Sequence, residues 1–326
     1  MINKYKKTKK CPYCDSNNII KYNQYKNKQI YFCKKCGKKY TYYNFKNETY
    51  KSNFLNVAIS YYNLGNTVNE TVKLINKNFN IKVSKSSVYL WINQYSKICN
   101  FKKIRKDILK NYKNKPEIIE SKIFKHGGKK YNFAFHRPKL EILCTNFIPL
   151  LKFILKIKEK CPNDFFNKNH NSSQLKLDIK PRKEGRFNQV CKIANFALEG
   201  CLSNDKRHEI LKNFMIINDK RTIACEVPVW FWEKYFNLGI SGHIDVIQIR
   251  RGNIYIMEYK PENSKENDKN LASKLFLYAY GLSFRTKIPL TRFRCAWFNE
   301  NNYYEFNPNE INFSFKFKNK LYFRKI

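Results

Sequence analysis

Four cysteines near the start of the chain, Cys11-Pro-Tyr-Cys14 and Cys33-Lys-Lys-Cys36, form two Cys-x-x-Cys pairs separated by eighteen residues. No other feature of the sequence restricts the local fold so tightly. A Cys-x-x-Cys turn brings two thiolates to one tetrahedral ion at about 2.3 Å, and two such knuckles complete a four-thiolate shell for a structural Zn²⁺. The intervening IIKYNQYKNKQIYF reads as two short strands around a polar turn, a hairpin that carries one knuckle to the other. Gly37, directly after the last ligand, allows the positive φ that a knuckle needs. The opening MINKYKKTKK has no apolar leader, and no apolar run reaches the ~18 residues of a membrane helix. The chain therefore reads as cytoplasmic, with reduced cysteines, and in that setting paired Cys-x-x-Cys motifs mean metal. The other seven cysteines (99, 144, 161, 191, 201, 225 and 295) are scattered; they read as small buried hydrophobes, without the clustering of an iron–sulfur site.

Charge limits the partners. Sixty-four Lys and Arg against 25 Asp and Glu give +39 over 326 residues, more than solubility requires and self-repelling in a compact chain. The charge is spread along the sequence and not confined to one amphipathic helix, which favours nucleic acid over a membrane surface. A Lys/Asn-rich genome bias explains the lysines but not the scarcity of acids.

From about Tyr50 the apolar spacing becomes helical. FLNVAISYYNLG stops at Gly65; TVNETVKLINKNFN carries Val68, Val72, Leu74, Ile75 and Phe79; SKSSVYLWINQYSKI starts on Ser84 as N-cap and aligns Val88, Trp91, Ile92 and Tyr95. Three short helices with tight turns are a helix-turn-helix candidate, in which Lys85, Ser86, Ser87 and Tyr89 face a major groove; a plain three-helix bundle is the alternative. The charged FKKIRKDILKNYKNKPEIIESKIFKHGGKK that follows reads as a helical linker closed by Gly127-Gly128. LEILCTNFIPLLKFIL, interrupted by Glu141, Pro149 and Lys152, reads as a buried helix with a break, and the alternating Phe313, Phe315 and Phe317 as a half-buried strand, with base stacking the alternative.

Acid-x-Lys occurs three times, at Glu120-Ser-Lys122, Asp178-Ile-Lys180 and Glu258-Tyr-Lys260. Only Glu258 ends a strongly apolar run with an acid-bearing strand just before it, in GHIDVIQIRRGNIYIMEYKPE. A turn at Arg251-Gly252 sets Asp245 opposite Glu258; a turn at Gly252-Asn253 sets it opposite Lys260. Opposed carboxylates repel unless a divalent cation lies between them. Asp245 and Glu258 are thus expected to hold Mg²⁺ or Mn²⁺, with Lys260 steadying the charge that develops on a phosphodiester.

These motifs resemble the RecB-type branch of the PD-(D/E)XK nuclease superfamily: Gly242-His-Ile-Asp245, then Ile256-Met-Glu258-Tyr-Lys260, then a helix with Lys274-x-x-x-Tyr278 where the family often has Gln-x-x-x-Tyr. The resemblance covers about 185 to 285 and implies a restriction-endonuclease-like α/β core with a mixed central sheet flanked by helices. It also implies one earlier residue completing the metal shell, for which Glu199, Glu226 and His208 are the candidates. The CPxC hairpin followed by YFCKKCGKKY, and the helices after it, resemble the DNA-binding front of insertion-sequence transposases over about 1 to 100. The expected organisation is a zinc ribbon (1–48), an all-α helix-turn-helix domain (49–112), a linker (113–128) and a nuclease domain (129–326). Together these imply a Mg²⁺-dependent DNA endonuclease of mobile-element type. The alternatives are a DNA-binding regulator with an inactive core, or an RNA nuclease. Duplex symmetry would suit a homodimer.

Overall fold

In the computed structural model of the protein, the described residues are 16–25, 28–37, 39–41, 48–99, 105–106, 109–110, 118–167, 182–185, 188–199, 206–233, 238–262, 267–311, 313–317 and 320–324. The chain divides into two compact units, Met1–Lys51 and Ser52–Ile326.

In the first unit, β1 (Ile19–Tyr25), β2 (Lys28–Cys33) and β3 (Lys39–Thr41) form an antiparallel sheet in that order, with an irregularity between Lys21 and Asn23. Tyr31 and Cys33 are its buried pair, with Ile19 and Cys36 packed on them. After Cys33 the chain turns so that Gly37 N–H donates to the Cys33 carbonyl at 2.9 Å, and Gly37 takes φ +66. Only a residue without Cβ adopts that conformation cheaply. Cys11 and Cys14 lie outside the described residues.

The second unit begins within α1 (Glu48–Asn63) and continues with α2 (Val68–Phe79) and α3 (Lys85–Cys99). Thr67 and Glu70 exchange the reciprocal bonds of a capping box at the start of α2, and Asn80 closes it in the left-handed conformation, φ 51. Ser84 Oγ accepts from Ser87 N–H at 3.1 Å to start α3. Ala58, Ile75, Val88 and Ile92 form the bundle's own core.

Eight strands build the main sheet: β4 (Ile119–His126), β5 (Lys129–His136), β6 (Arg182–Gly185), β7 (Thr222–Glu233), β8 (Leu238–Arg250), β9 (Asn253–Tyr259), β10 (Phe293–Phe298) and β11 (Asn302–Phe306), in spatial order β4-β5-β7-β8-β9-β10-β11-β6. Every pairing is antiparallel except β9 with β10, so the sheet is mixed. A parallel neighbour needs a crossover, and α9 (Asp268–Thr286) supplies it. Beside α9 on one face lie α4 (Arg137–Leu143) and α5 (Ile148–Lys160), which bury Leu140, Leu150, Ile154 and Ile157 against Val227, Ile244, Ile256 and Leu275. The other face carries α7 (Gln189–Leu198) and α8 (Arg207–Asn218), which bury Ile193, Leu211 and Met215 against Val246, Met257 and Phe298. The short α6 (Asn163–Asn167) follows α5. This is an α/β core with a mixed sheet flanked by helices, as expected; the helix break falls at 144–147, while Glu141 and Lys152 lie within α4 and α5.

Two expectations about boundaries change. The stretch 113–128 contains β4, an edge strand of the sheet, and Gly127-Gly128 is its hairpin turn with φ +55 and +75. Lys122 and Lys125 face solvent while Phe124 and His126 point inward, so the charge pattern that suggests a linker is that of an edge strand protected from further pairing. Nor does the helical bundle end at 112 as an independent core: Ile59 and Cys99 belong to the α7/α8 cluster. Asn63 donates to Asn218 at 2.8 Å, Asn218 donates to Ser60 at 2.8 Å, and Arg105 donates to the Tyr62 and Asn66 carbonyls at 3.1 Å each. Phe313, Phe315 and Phe317 lie in a strand, β12 (Phe313–Phe317), paired with β13 (Lys320–Arg324) in a separate two-stranded sheet.

A candidate carboxylate and lysine site

The β8–β9 register runs from Val246 opposite Met257 to Arg250 opposite Asn253, which fixes the turn at Arg251-Gly252. Both turn residues have positive φ, 47 and 70, as a type I′ hairpin requires. One step beyond, Asp245 falls opposite Glu258. The β7–β8 register, with Cys225 opposite Val246 and Val227 opposite Ile244, sets Glu226 opposite Asp245 in turn. Three adjacent strands thus each supply one acid at one level, and all three are buried: 9%, 8% and 8% exposed for Glu226, Asp245 and Glu258.

The level of the acids is where the strands change phase. Cys225 joins the α7/α8 cluster while Val227 and Val229 join the α5/α9 cluster, and Val246 likewise parts from Ile244 and Ile247. Glu226 lies at the switch with φ 51, a conformation that an L-residue with a side chain adopts at a cost of about 1–3 kcal/mol. Strain of this kind persists only where the surroundings enforce it.

Three carboxylates in a row would repel, and each face of the sheet answers with a lysine. Lys212, from α8, contacts Glu226 Oε1 and lies 3.5 Å from Asp245 Oδ1. Lys274, from α9, lies 2.6 Å from Glu258 Oε1. Asp245 Oδ2 also accepts from the Tyr259 backbone N–H at 3.2 Å and stands 3.7 Å from His208 Nδ1. Burial by itself would raise the Asp245 carboxyl, but Lys212 and His208 outweigh it and hold the group below the ordinary carboxylate range. Glu226 goes the other way: burial, joined by the Asp245 charge, raises it despite Lys212. One ammonium thus serves two acids and keeps one of them firmly ionised. Glu226 Oε2 is buried and accepts no hydrogen bond among the described residues. Lys274 stays protonated despite burial because Glu258 faces it.

Aromatic groups close over this row. Tyr278, one turn beyond Lys274, presses its ring and hydroxyl onto Gly242, where any Cβ would collide with it. That packing explains why the residue three before Asp245 is glycine. Tyr131 from β5 stacks on His243 at 3.6 Å between centroids, and His243 Nε2 meets His126 Nδ1 at 2.9 Å. Burial, with His126 alongside, lowers the His243 pKa to about 3, so the ring is neutral.

Of the residues singled out from sequence, Asp245, Glu258, Glu226, Lys274 and Tyr278 converge, with His208 at the rim. Lys260 turns to Asp268 at the start of α9, 2.6 Å away. Glu199 is exposed at the C-cap of α7, so between the two acids it is Glu226 that stands beside Asp245. Sequence reasoning misses Lys212 and Tyr131. Lys212 follows His208 by one helical turn and sits among apolar Leu211 and Met215, a lone lysine that nothing in the local pattern sets apart. Among the described residues, no group of three His, Cys, Asp or Glu side chains is close enough to hold a metal ion by itself.

Elsewhere, Lys85, Ser86 and Tyr89 are exposed at the start of α3, Tyr89 to 59%. Ser87 is half-buried, its hydroxyl 2.9 Å from that of Ser84. Among the described residues no helix is long and apolar enough to cross a membrane. Set against known protein families, characterised proteins and solved structures, the chain matches none.

Proposed function

We propose that the protein is a divalent-metal-dependent DNA endonuclease, targeted by its cysteine-rich hairpin and its helical bundle and cutting at the row Glu226, Asp245 and Glu258. The observation that carries this reading is the alignment of three buried acids on three adjacent strands, one of them with a carboxylate oxygen that no described protein donor satisfies. Hard carboxylate oxygens are the donor set that Mg²⁺ and Mn²⁺ take. Asp245 and Glu258 would hold the ion, with Glu226 beside Asp245 and water filling the rest of its shell. When bound, it would supply Lewis-acid polarisation of a phosphodiester and a water of lowered pKa.

The chain's own groups do the remainder. Lys212 acts as the resident cation, keeping Asp245 ionised and Glu226 and Asp245 compatible with each other, as Lys274 does for Glu258. Lys274 offers positive charge beside Glu258, where a phosphate would gather negative charge, while Lys260 is held by Asp268. Tyr278 and Tyr131 wall the acids off from solvent. Cys11, Cys14, Cys33 and Cys36 would hold Zn²⁺ in the first unit, and Lys85, Ser86 and Tyr89 would meet a groove of the duplex.

Plasmid cleavage tests the reading. Purified protein with Mg²⁺ or Mn²⁺ is expected to nick or linearise supercoiled DNA, and Asp245→Ala is expected to abolish cleavage while duplex binding persists. Equal cleavage by wild type and Asp245→Ala would sink it. A second reading, a DNA-binding protein with a silent core, is favoured by the lysine ammoniums standing at the acids; binding without cleavage in either metal would establish it.

A further inference from the structure

The face of α5 that turns away from the sheet carries Lys152, Lys156 and Lys160 in one line, four residues apart, and all three are exposed. Like charges at that spacing destabilise a helix. The remaining lysine of that turn, Lys158, is pinned to Glu120 at 3.1 Å, but none of the three makes an ion pair among the described residues. The line borders a groove of about 230 Å³ that Phe153 lines from the same helix and Trp230, Arg285 and Thr286 line from β7 and α9. Arg285 lies over the Trp230 ring, 4.2 Å from its centroid, with Phe153 at 5.8 Å. A guanidinium held over an indole by its π face still has N–H donors to offer in the paired geometry that binds phosphate oxygens. Arg285 has no carboxylate partner among the described residues either.

Two independent rulers relate this groove to the acid row. Arg285 follows Lys274 by eleven residues on α9, close to three turns, so the two project along one side of the helix, about 16 Å apart at ~1.5 Å per residue. On β7, Trp230 follows Glu226 by four residues, about 13 Å. At ~3.4 Å per base pair, either length amounts to about four or five steps of a duplex.

From this we infer that the groove between α5 and the end of α9 is a second phosphate-binding surface, which grips the backbone of a DNA duplex about four or five base pairs from the acid row. The inference rests on the DNA reading above and adds a fixed footprint to it. Four cations along one groove, with no acid in its lining, match a polyanion whose charges repeat at regular intervals.

The test uses the full chain in chelator, so that binding is read without cleavage, with a 30-base-pair duplex as probe and the salt dependence of affinity as readout. The triple variant Lys152→Gln/Lys156→Gln/Lys160→Gln is expected to bind at least tenfold more weakly at 0.15 M salt. Its log–log salt slope should fall by about 0.9 for each phosphate no longer neutralised, up to roughly 2.7 for three. Arg285→Lys, which keeps the charge but not the fork, is expected to weaken binding several-fold with less than one unit of slope. Unchanged affinity and slope in the triple variant, with an unchanged melting curve, would overturn the groove while leaving DNA binding intact. Weaker binding at an unchanged slope would also overturn it. Failure of the wild type to bind the duplex at all would overturn both readings together.

Discussion

The same three-residue pattern, acid-x-Lys, sits at Glu120 on β4 and at Glu258 on β9, and the two have opposite surroundings. Glu120 lies on an edge strand, where Arg137 contacts one carboxylate oxygen and Lys158 the other at 3.1 Å, both half-exposed cations from nearby helices. Lys122, two residues on, runs over the Phe124 ring at 5.1 Å and donates to a helix carbonyl. Glu258 lies on a central strand, with Asp245 on one neighbour and the parallel β10 on the other, and the ammonium facing it arrives from a crossover helix. An edge strand lets water and cations settle each charge separately. A central strand forces acids on adjacent strands to share cations, so the same pattern becomes a site only where the sheet surrounds it.

The largest expected difference between the two lies in activity. Glu258→Gln should lower metal-dependent cleavage by at least about a hundredfold, the scale on which a positioned electrostatic group acts, while Glu120→Gln should leave it within about twofold. Equal losses at both positions would erase the distinction. Next comes stability. Lys212→Met strands two buried carboxylates and should cost about 3–5 kcal/mol, whereas Lys158→Met, at the exposed counterpart, should cost less than about 1 kcal/mol. Excess Mg²⁺ should raise the Tm of Lys212→Met more than that of the wild type; an equal shift would show that Lys212 and the ion do not compete.

The smallest effect is in pH dependence, and its sign separates the acids. Against burial, the hydrogen bonds from Arg137 and Lys158 hold Glu120 below the ordinary glutamate value. Its contribution is therefore present above about pH 4.3, the unfolded value, and is lost as the pH falls through the folded value. Glu226 is raised, so its contribution is present below about pH 4.3 and lost as the pH rises through its folded pKa. Glu120→Gln should thus lower the Tm at pH 7, and Glu226→Gln should raise it slightly, with both differences shrinking by pH 3. Thermal melts at the two pH values decide, and a fall in Tm at pH 7 for Glu226→Gln would contradict the assignment.

Much of the sheet is legible in the sequence because its signals are local. The Arg-Gly-Asn turn between alternating apolar runs announces the β8–β9 hairpin and, within one of two registers, the opposition of Asp245 and Glu258. Gly65 and Ser84 mark helix ends for reasons of backbone chemistry, whereas the Thr67–Glu70 capping box emerges only in the structure. Glu226 is visible only as one of several acids, because its place depends on a phase switch in β7 that no short-range pattern encodes. Lys212 is hidden for a similar reason: in a chain with 64 Lys and Arg, one lysine on an apolar helix face does not stand out. β4 reads as a linker because a charged edge strand and a charged linker have the same composition and differ only in what lies beside them.

The bonds that make the row of acids are short in chain distance. Lys212 to Glu226 spans 14 residues, Asp245 to Tyr259 14, and Glu258 to Lys274 16. The bonds that seat the helical bundle on the core span 91 to 158. Because the entropy lost on closing a loop grows with the logarithm of its length, the acids and their ammoniums are the less demanding part to assemble. The helical bundle is the more demanding one, held in place by bonds that require most of the intervening chain to be in order.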